Sequence, residues 1–138
     1  MQEKQIRKSK RGEKMELQTG IDIIEVDRIQ EAIEKHGNKF LNHVFTQKEI
    51  EYCKKTNKMQ YQHFAARFAA KEAIFKAISS KILPLKEDVW TKIEIENDET
   101  GKPKANLLSL NLPEVACMDL SISHLKDYAV ASFTILFQ

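Results

Sequence analysis

The chain has 138 residues, of which 42% are hydrophobic and 30% charged. That suffices to bury one core and points to a single globular domain. No apolar run approaches the ~20 residues of a membrane span, the charged N-terminus lacks the apolar stretch of a signal peptide, and Cys53 and Cys117 stand far apart without a CxxC or Cys/His array. A membrane protein, a disulfide scaffold and a zinc site are set aside, and a reducing cytoplasm is the expected location.

The net charge of +2 is unevenly spread. Met1–Lys14 carries six Lys/Arg against two Glu and has no periodicity, whereas the remainder is net negative. Residues 1–14 read as a basic, disordered extension and residues 15–138 as the folded domain. Nucleic-acid-binding domains concentrate positive charge on their folded body, so no nucleic-acid partner is expected.

From Glu16 to Val26 the chain is rich in Ile and Val and reads as a strand buried for much of its length. Asp27 then suits an N-cap, and a helix follows to about His36, with Gly37 just past its end. Arg28 and Lys35, seven apart, share one face of it. Thr46-Gln47-Lys48-Glu49 is a capping box that opens a short helix to about Lys55. The main helix runs from about Gln60 to Ser79, and Pro84 bars its extension.

Beyond Pro84 the periodicity switches to two. Trp90, Ile93 and Ile95 introduce a strand, Asn97–Pro103 is a loop by composition, and Lys104–Leu110 forms another strand. Asp119–His124 and Tyr128–Phe137 are two more, joined by a turn at Lys126-Asp127. Helices early and strands late predict an α+β domain, with a largely antiparallel sheet packed against the long central helix and shorter helices.

Two carboxylates stand where a core is expected. Glu72 lies in the greasiest sector of the main helix, near Ala65, Phe68, Ala69 and Phe75 on a helical wheel, and Asp22 interrupts the run Gly20-Ile21-Asp22-Ile23-Ile24. An ionised carboxylate in such a place needs a cation. As a pair, two acids without a His/Cys cluster suit Mg²⁺, which takes one or two protein carboxylates and fills its shell with waters and phosphates. Alternatively Glu72 pairs with Lys76 or Lys71, and Asp22 caps a turn.

Lys76 is placed to face a phosphate beside such a metal, while Lys71 and Lys76 taken singly read as solvated or snorkelling side chains. His124 shares a face with Leu120 and Ile122; a lone His there is usually structural, though with Ser123 it can donate to a phosphate. His36, His43 and His63 form no pattern. Gly101-Lys102-Pro103 is turn chemistry first. The chain has no P-loop, GxGxxG or GxSxG motif.

Taken together, these residues resemble the short, single-domain holo-acyl-carrier-protein synthases of the 4′-phosphopantetheinyl transferase superfamily. The resemblance covers about Leu17 to Phe137 in five segments that keep the family's order. They are Gly20–Val26 with Arg28, Phe45–Glu49, Arg67–Ala73 with Lys76-Ala77, Gly101–Pro103, and Ser121–His124. It implies transfer of 4′-phosphopantetheine from coenzyme A to a serine of apo-acyl carrier protein, with release of 3′,5′-ADP. Asp22 and Glu72 would hold Mg²⁺, and with Lys76 they form the implied catalytic set. Lys76 and His124 would contact the coenzyme A phosphates, Arg67 would lie near them, and Gly101 and Pro103 would sit by the nucleotide end. Arg28 would dock the acyl carrier protein, helped by Lys35. A homotrimer with shared active sites is implied as well. Either Glu72 or a water held by the metal and Asp22 would take the serine proton.

Three rivals predict different outcomes. Another Mg²⁺-dependent reaction on a nucleotide diphosphate would not need Arg28. A nucleic-acid module using the basic extension would lose steeply salt-dependent binding when Met1–Lys14 is removed. An inactive scaffold would lose no activity on substitution of Asp22 or Glu72.

Overall fold

The structure, a computed structural model, describes the backbone of Arg7–Lys8 and residues 14–138. Most of the expected N-terminal extension therefore lies outside the described residues. Strand β1 (Arg7–Lys8) pairs with the start of β2 (Lys14–Glu25), so Lys14 already belongs to a strand. Helices α1 (Val26–His36), α2 (Asn38–Val44), α3 (Gln47–Lys54) and α4 (Gln60–Ile78) follow. After the short helix α5 (Val89–Lys92) come β3 (Glu94–Asn97), β4 (Pro103–Asn106), β5 (Val115–His124) and β6 (Tyr128–Phe137). The described strands form an antiparallel sheet of order β1-β2-β6-β5 and a separate antiparallel hairpin, β3-β4.

Helix α4 is the centre of the molecule. Eleven of its residues are buried, among them Ala65, Ala66, Ala69, Ala70, Ala73 and Ala77. A helix apolar on nearly every side has to be enclosed, and its alanines let neighbouring backbones come close. Gly20 of β2 uses that freedom: a Cβ there would stand 1.9 Å from the Ala73 carbonyl oxygen. The crossing of β2 over α4 is thus set by a glycine meeting a row of alanines.

The register of the sheet decides which side chains face α4. Gly20 is level with Phe133 and Leu120, Asp22 with Ala131 and Ile122, and Ile24 with Ala129 and His124. Since strand side chains alternate, all nine lie on the helix-facing side. The other face of β2 exposes Leu17, Ile21 and Ile23, so the expectation of a strand buried for much of its length is corrected: only Gly20 is fully buried in β2.

Several boundaries also differ from expectation. Asp27 is not the N-cap of α1. Glu25 holds that position without a side-chain cap, and the Val26 N–H donates instead to the Asp127 carbonyl of the β5-β6 hairpin, 2.9 Å away. Trp90 lies in α5 rather than opening a strand, and the Lys104–Leu110 strand stops at Asn106, where the Leu107–Leu110 turn begins. Helix α2 restarts directly after Gly37, whose positive φ of 55° ends α1. The capping box at Thr46 is complete in both directions.

Candidate active site

Asp22 projects from β2 toward α4 and meets Lys76: Nζ lies 3.1 Å from Asp22 Oδ1 and 3.0 Å from the Ile21 carbonyl oxygen. Glu72, one turn earlier on α4, is half-buried, and no cation among the described residues lies within ion-pairing distance of it. Burial pushes its carboxyl above the usual range, the Asp22 charge pushes it further, and Lys76 draws it back. Two carboxylates from distant parts of the chain are therefore close enough to repel, with one lysine between them.

The alternative reading pairs Glu72 with Lys76 or Lys71. Lys76 instead bonds Asp22 while acting on Glu72 at longer range. Lys71 is not solvated at all. It is fully buried, with Nζ 2.7 Å from Glu49 Oε1, 2.8 Å from the Trp90 carbonyl and 2.5 Å from the Ile93 carbonyl. Glu49 also accepts from the Ile95 N–H at 2.8 Å. The deepest charge on α4 is thus a lysine with its own acid, and Glu72 sits on the flank that the sheet leaves partly open.

The donor set at Asp22 and Glu72 can be tested against a metal. Two mutually repelling carboxylates, one of them raised, are what a hard divalent cation relieves. Among the described residues no group of three or more His, Cys, Asp or Glu gathers, which disfavours zinc-type ligation. The residues fit Mg²⁺.

The second cluster lies toward the N-terminal end of α4. A cavity of about 180 Å³ is lined by Tyr52, His63, Arg67, Asn97, Gly101 and His124, among others including Pro103. Arg67 is only 5% exposed, its guanidinium stacks 4.0 Å from the Tyr52 ring centroid, and Nη2 donates to Asn97 Oδ1. Asn97 in turn donates to the Gly101 carbonyl at 2.9 Å. Gly101 has φ 87°, a left-handed conformation that favours glycine. Arg67 makes no ion pair among the described residues, and burial pushes the nearby Cys53 thiol up to about 12, so it offers no negative charge. A buried guanidinium with no carboxylate partner among the described residues can receive an anion.

The structure therefore gathers the expected residues into two groups beside α4, which itself supplies Arg67, Glu72 and Lys76: Asp22, Glu72 and Lys76, then Arg67, Gly101, Pro103 and His124. Arg28 and Lys35 stand apart on exposed α1, where Arg28 Nε is 3.7 Å from Glu25 Oε1. Tyr52, His63 and Asn97 were missed. For His63 a signal existed: it precedes Arg67 by four residues and so shares its helix face.

Comparison with known proteins identifies the family. The ACPS family model, described as the 4′-phosphopantetheinyl transferase superfamily, matches residues 18–132. A holo-[acyl-carrier-protein] synthase of Ruminiclostridium cellulolyticum is 46% identical over 122 residues, covering 85% of this chain and 90% of that protein. Another, from Protochlamydia amoebophila, is 44% identical over 119 residues, covering 85% and 95%. The crystal structure of a Bacillus anthracis holo-(acyl-carrier-protein) synthase in complex with CoA (3′,5′-ADP) superposes with a TM-score of 0.71 at 35% identity, covering 88% of this chain and 96% of that one. With this match spanning most of the described fold, the chain belongs to the 4′-phosphopantetheinyl transferase superfamily.

Proposed function

We propose that this chain transfers the 4′-phosphopantetheine group from coenzyme A to a serine of apo-acyl carrier protein and releases 3′,5′-ADP. The observation that carries this reading is the meeting of Asp22, Glu72 and Lys76 where β2 crosses α4. Asp22 and Glu72 are the residues that would hold Mg²⁺. Bound there, Mg²⁺ supplies positive charge against the diphosphate oxygens. Lys76, whose side chain is 51% exposed, has room to turn from Asp22 to a phosphate oxygen on the leaving side. Either Glu72 or a water held at Asp22 accepts the serine proton. Arg67, Gly101, Pro103 and His124 hold the nucleotide end.

Arg28 and Lys35, exposed on one face of α1, are the docking residues for the acidic surface of the carrier. A homotrimer is the proposed assembly, supported by the outer face of β2, where Leu17, Ile21 and Ile23 are 59%, 64% and 66% exposed. A reducing cytoplasm is in keeping with two unpaired thiols, Cys53 and Cys117. No described helix is long and apolar enough to cross a membrane.

The deciding experiment incubates the purified protein with apo-acyl carrier protein, coenzyme A and Mg²⁺ and weighs the carrier. A gain of one phosphopantetheine group is expected, and no gain after chelation of the metal. An unchanged carrier mass in the complete mixture overturns the reading.

A further inference from the structure

The anion pocket holds more unsatisfied hydrogen-bonding capacity than its expected residues account for. Its lining includes no Asp or Glu. Two polar atoms on neighbouring turns of α4, Arg67 Nε and His63 Nδ1, are buried with no hydrogen-bond partner. A buried polar group left unpaired is unfavourable, and two such atoms beside one cavity indicate a ligand that pairs with them. The His63 ring lies 5.5 Å from that of Tyr52, at 30°, which fixes its place in the wall.

Coenzyme A carries phosphate in two places, a diphosphate and a monoester on the ribose. If the acids and Lys76 at the far part of α4 serve the diphosphate, the monoester is the anion left for the basic pocket. We propose that His63 is a binding residue of this pocket, joining Arg67 and His124 around the ribose phosphomonoester and gaining a proton when that dianion binds. This inference rests on the reading of coenzyme A as substrate.

The surroundings of His63 explain the proton step. Burial, then the His124 and Arg67 charges, push its imidazole below the ordinary range, so the free protein holds it neutral near pH 7. Among the described residues the titratable groups around it are Tyr52 of α3, Arg67 of α4 and His124 of β5, none of them a carboxylate. A phosphate dianion reverses the balance and favours the imidazolium. Binding therefore takes up a proton and weakens as pH rises from about 6.5 to 8, a range in which the phosphomonoester, with its second pKa near 6, stays mostly dianionic.

The test is titration calorimetry of 3′,5′-ADP and of AMP, which lacks the 3′-phosphate, in buffers of different ionisation enthalpy at pH 6.5 and 8. Wild-type protein, His63→Phe, which keeps the ring against Tyr52, and His63→Gln, which keeps a donor, are compared. A charge-assisted hydrogen bond predicts that His63→Phe loses about tenfold in affinity for 3′,5′-ADP at pH 6.5. Proton uptake falls in both variants, His63→Gln recovers part of the affinity, and AMP binds all three proteins equally. Equal affinity and equal proton uptake for 3′,5′-ADP in His63→Phe and wild type overturn the assignment. Binding of 3′,5′-ADP by no protein overturns it together with the coenzyme A reading, which separates the two failures.

Discussion

Replacing Lys71 by methionine tests the most deeply buried charge in the molecule. Lys71 and Glu49 are both fully buried, and Nζ also serves the carbonyls of Trp90 and Ile93. Methionine fills similar space but leaves the Glu49 carboxylate without its cation. Breaking a buried pair from one side costs about 3–5 kcal/mol, and two carbonyls that lose a donor cost about 1–3 kcal/mol each. Against this, Glu49 keeps the N–H groups of Thr46 and Ile95, each 2.8 Å away, which offsets part of the loss. The net is about 4–6 kcal/mol, near the lower end of the ~5–15 kcal/mol that holds a domain folded. Glu49→Gln is expected to cost less, about 1–3 kcal/mol, because burial already lowers the Lys71 pKa and allows it to lose its proton. The Glu49→Gln/Lys71→Met double variant buries no charge and should be more stable than Lys71→Met alone. Urea unfolding followed by circular dichroism at fixed protein concentration measures all three. A Lys71→Met loss below about 1 kcal/mol, or a double-variant loss equal to the sum of the singles, refutes the reasoning.

Four other outcomes follow. Glu72→Gln should raise the melting temperature of the metal-free protein at pH 8 and abolish carrier modification. Its sign comes from linkage: the folded state holds the Glu72 proton more tightly than the ordinary value of 4.5, so wild-type stability falls as pH rises from there through the raised folded pKa. Melting curves in chelator should therefore converge near pH 4 and separate above it, and parallel curves refute the assignment. Gly20→Ala forces a Cβ to 1.9 Å from the Ala73 carbonyl and should cost at least about 1–3 kcal/mol in denaturant titration; an unchanged midpoint contradicts the close crossing. Arg28→Glu should slow carrier modification while calorimetric coenzyme A affinity stays the same, and unaltered transfer removes Arg28 from the docking surface. Ile23→Glu should convert the proposed trimer to monomers in sedimentation velocity; a sedimentation coefficient equal to wild type rules out this face of β2.

What could be read from sequence was what depends on near neighbours. The Thr46–Glu49 box is a four-residue motif and it is present in full. Strands β5 and β6 announce themselves by alternation, and α4 by a long alanine-rich run that must be enclosed. Failures occurred where a distant group intervenes. Asp27 was expected to cap α1, but Asp127, a hundred residues later, supplies the acceptor. Lys71 looked solvated because Glu49, its acid, lies 22 residues away on another helix. Glu72 was placed in the greasiest sector because an all-apolar helix gives a helical wheel no means of telling which flank the sheet covers. Adjacent Ile23 and Ile24 blurred the alternation of β2, and the structure resolves it by pointing Ile23 outward.

The charges along α4 show why the site is separable from the scaffold. Lys71 and Glu49 cancel privately in the core and hold Ile93–Ile95 in place. Two residues further along β3, Asn97 receives the Arg67 guanidinium, so the structural pair positions the wall of the anion pocket without facing it. On either side of that neutral core the accounts stay open in opposite senses. Asp22 and Glu72 share one lysine, leaving negative charge unmatched. Arg67, His63 and His124 line a cavity without an acid. Neither imbalance lowers the energy of the folded chain alone, and a stability-driven sequence would have closed both, as it closed Glu49–Lys71. On the proposed function, a phosphate-bearing substrate with a divalent cation would close them together: the cation at the acids, the diphosphate beside it, and a second phosphate at the bases. The same reasoning separates substitutions by effect. Changes at Lys71 or Gly20 should move stability and activity together, whereas changes at Glu72 or His63 should lower binding or turnover while leaving the metal-free fold as stable or more so.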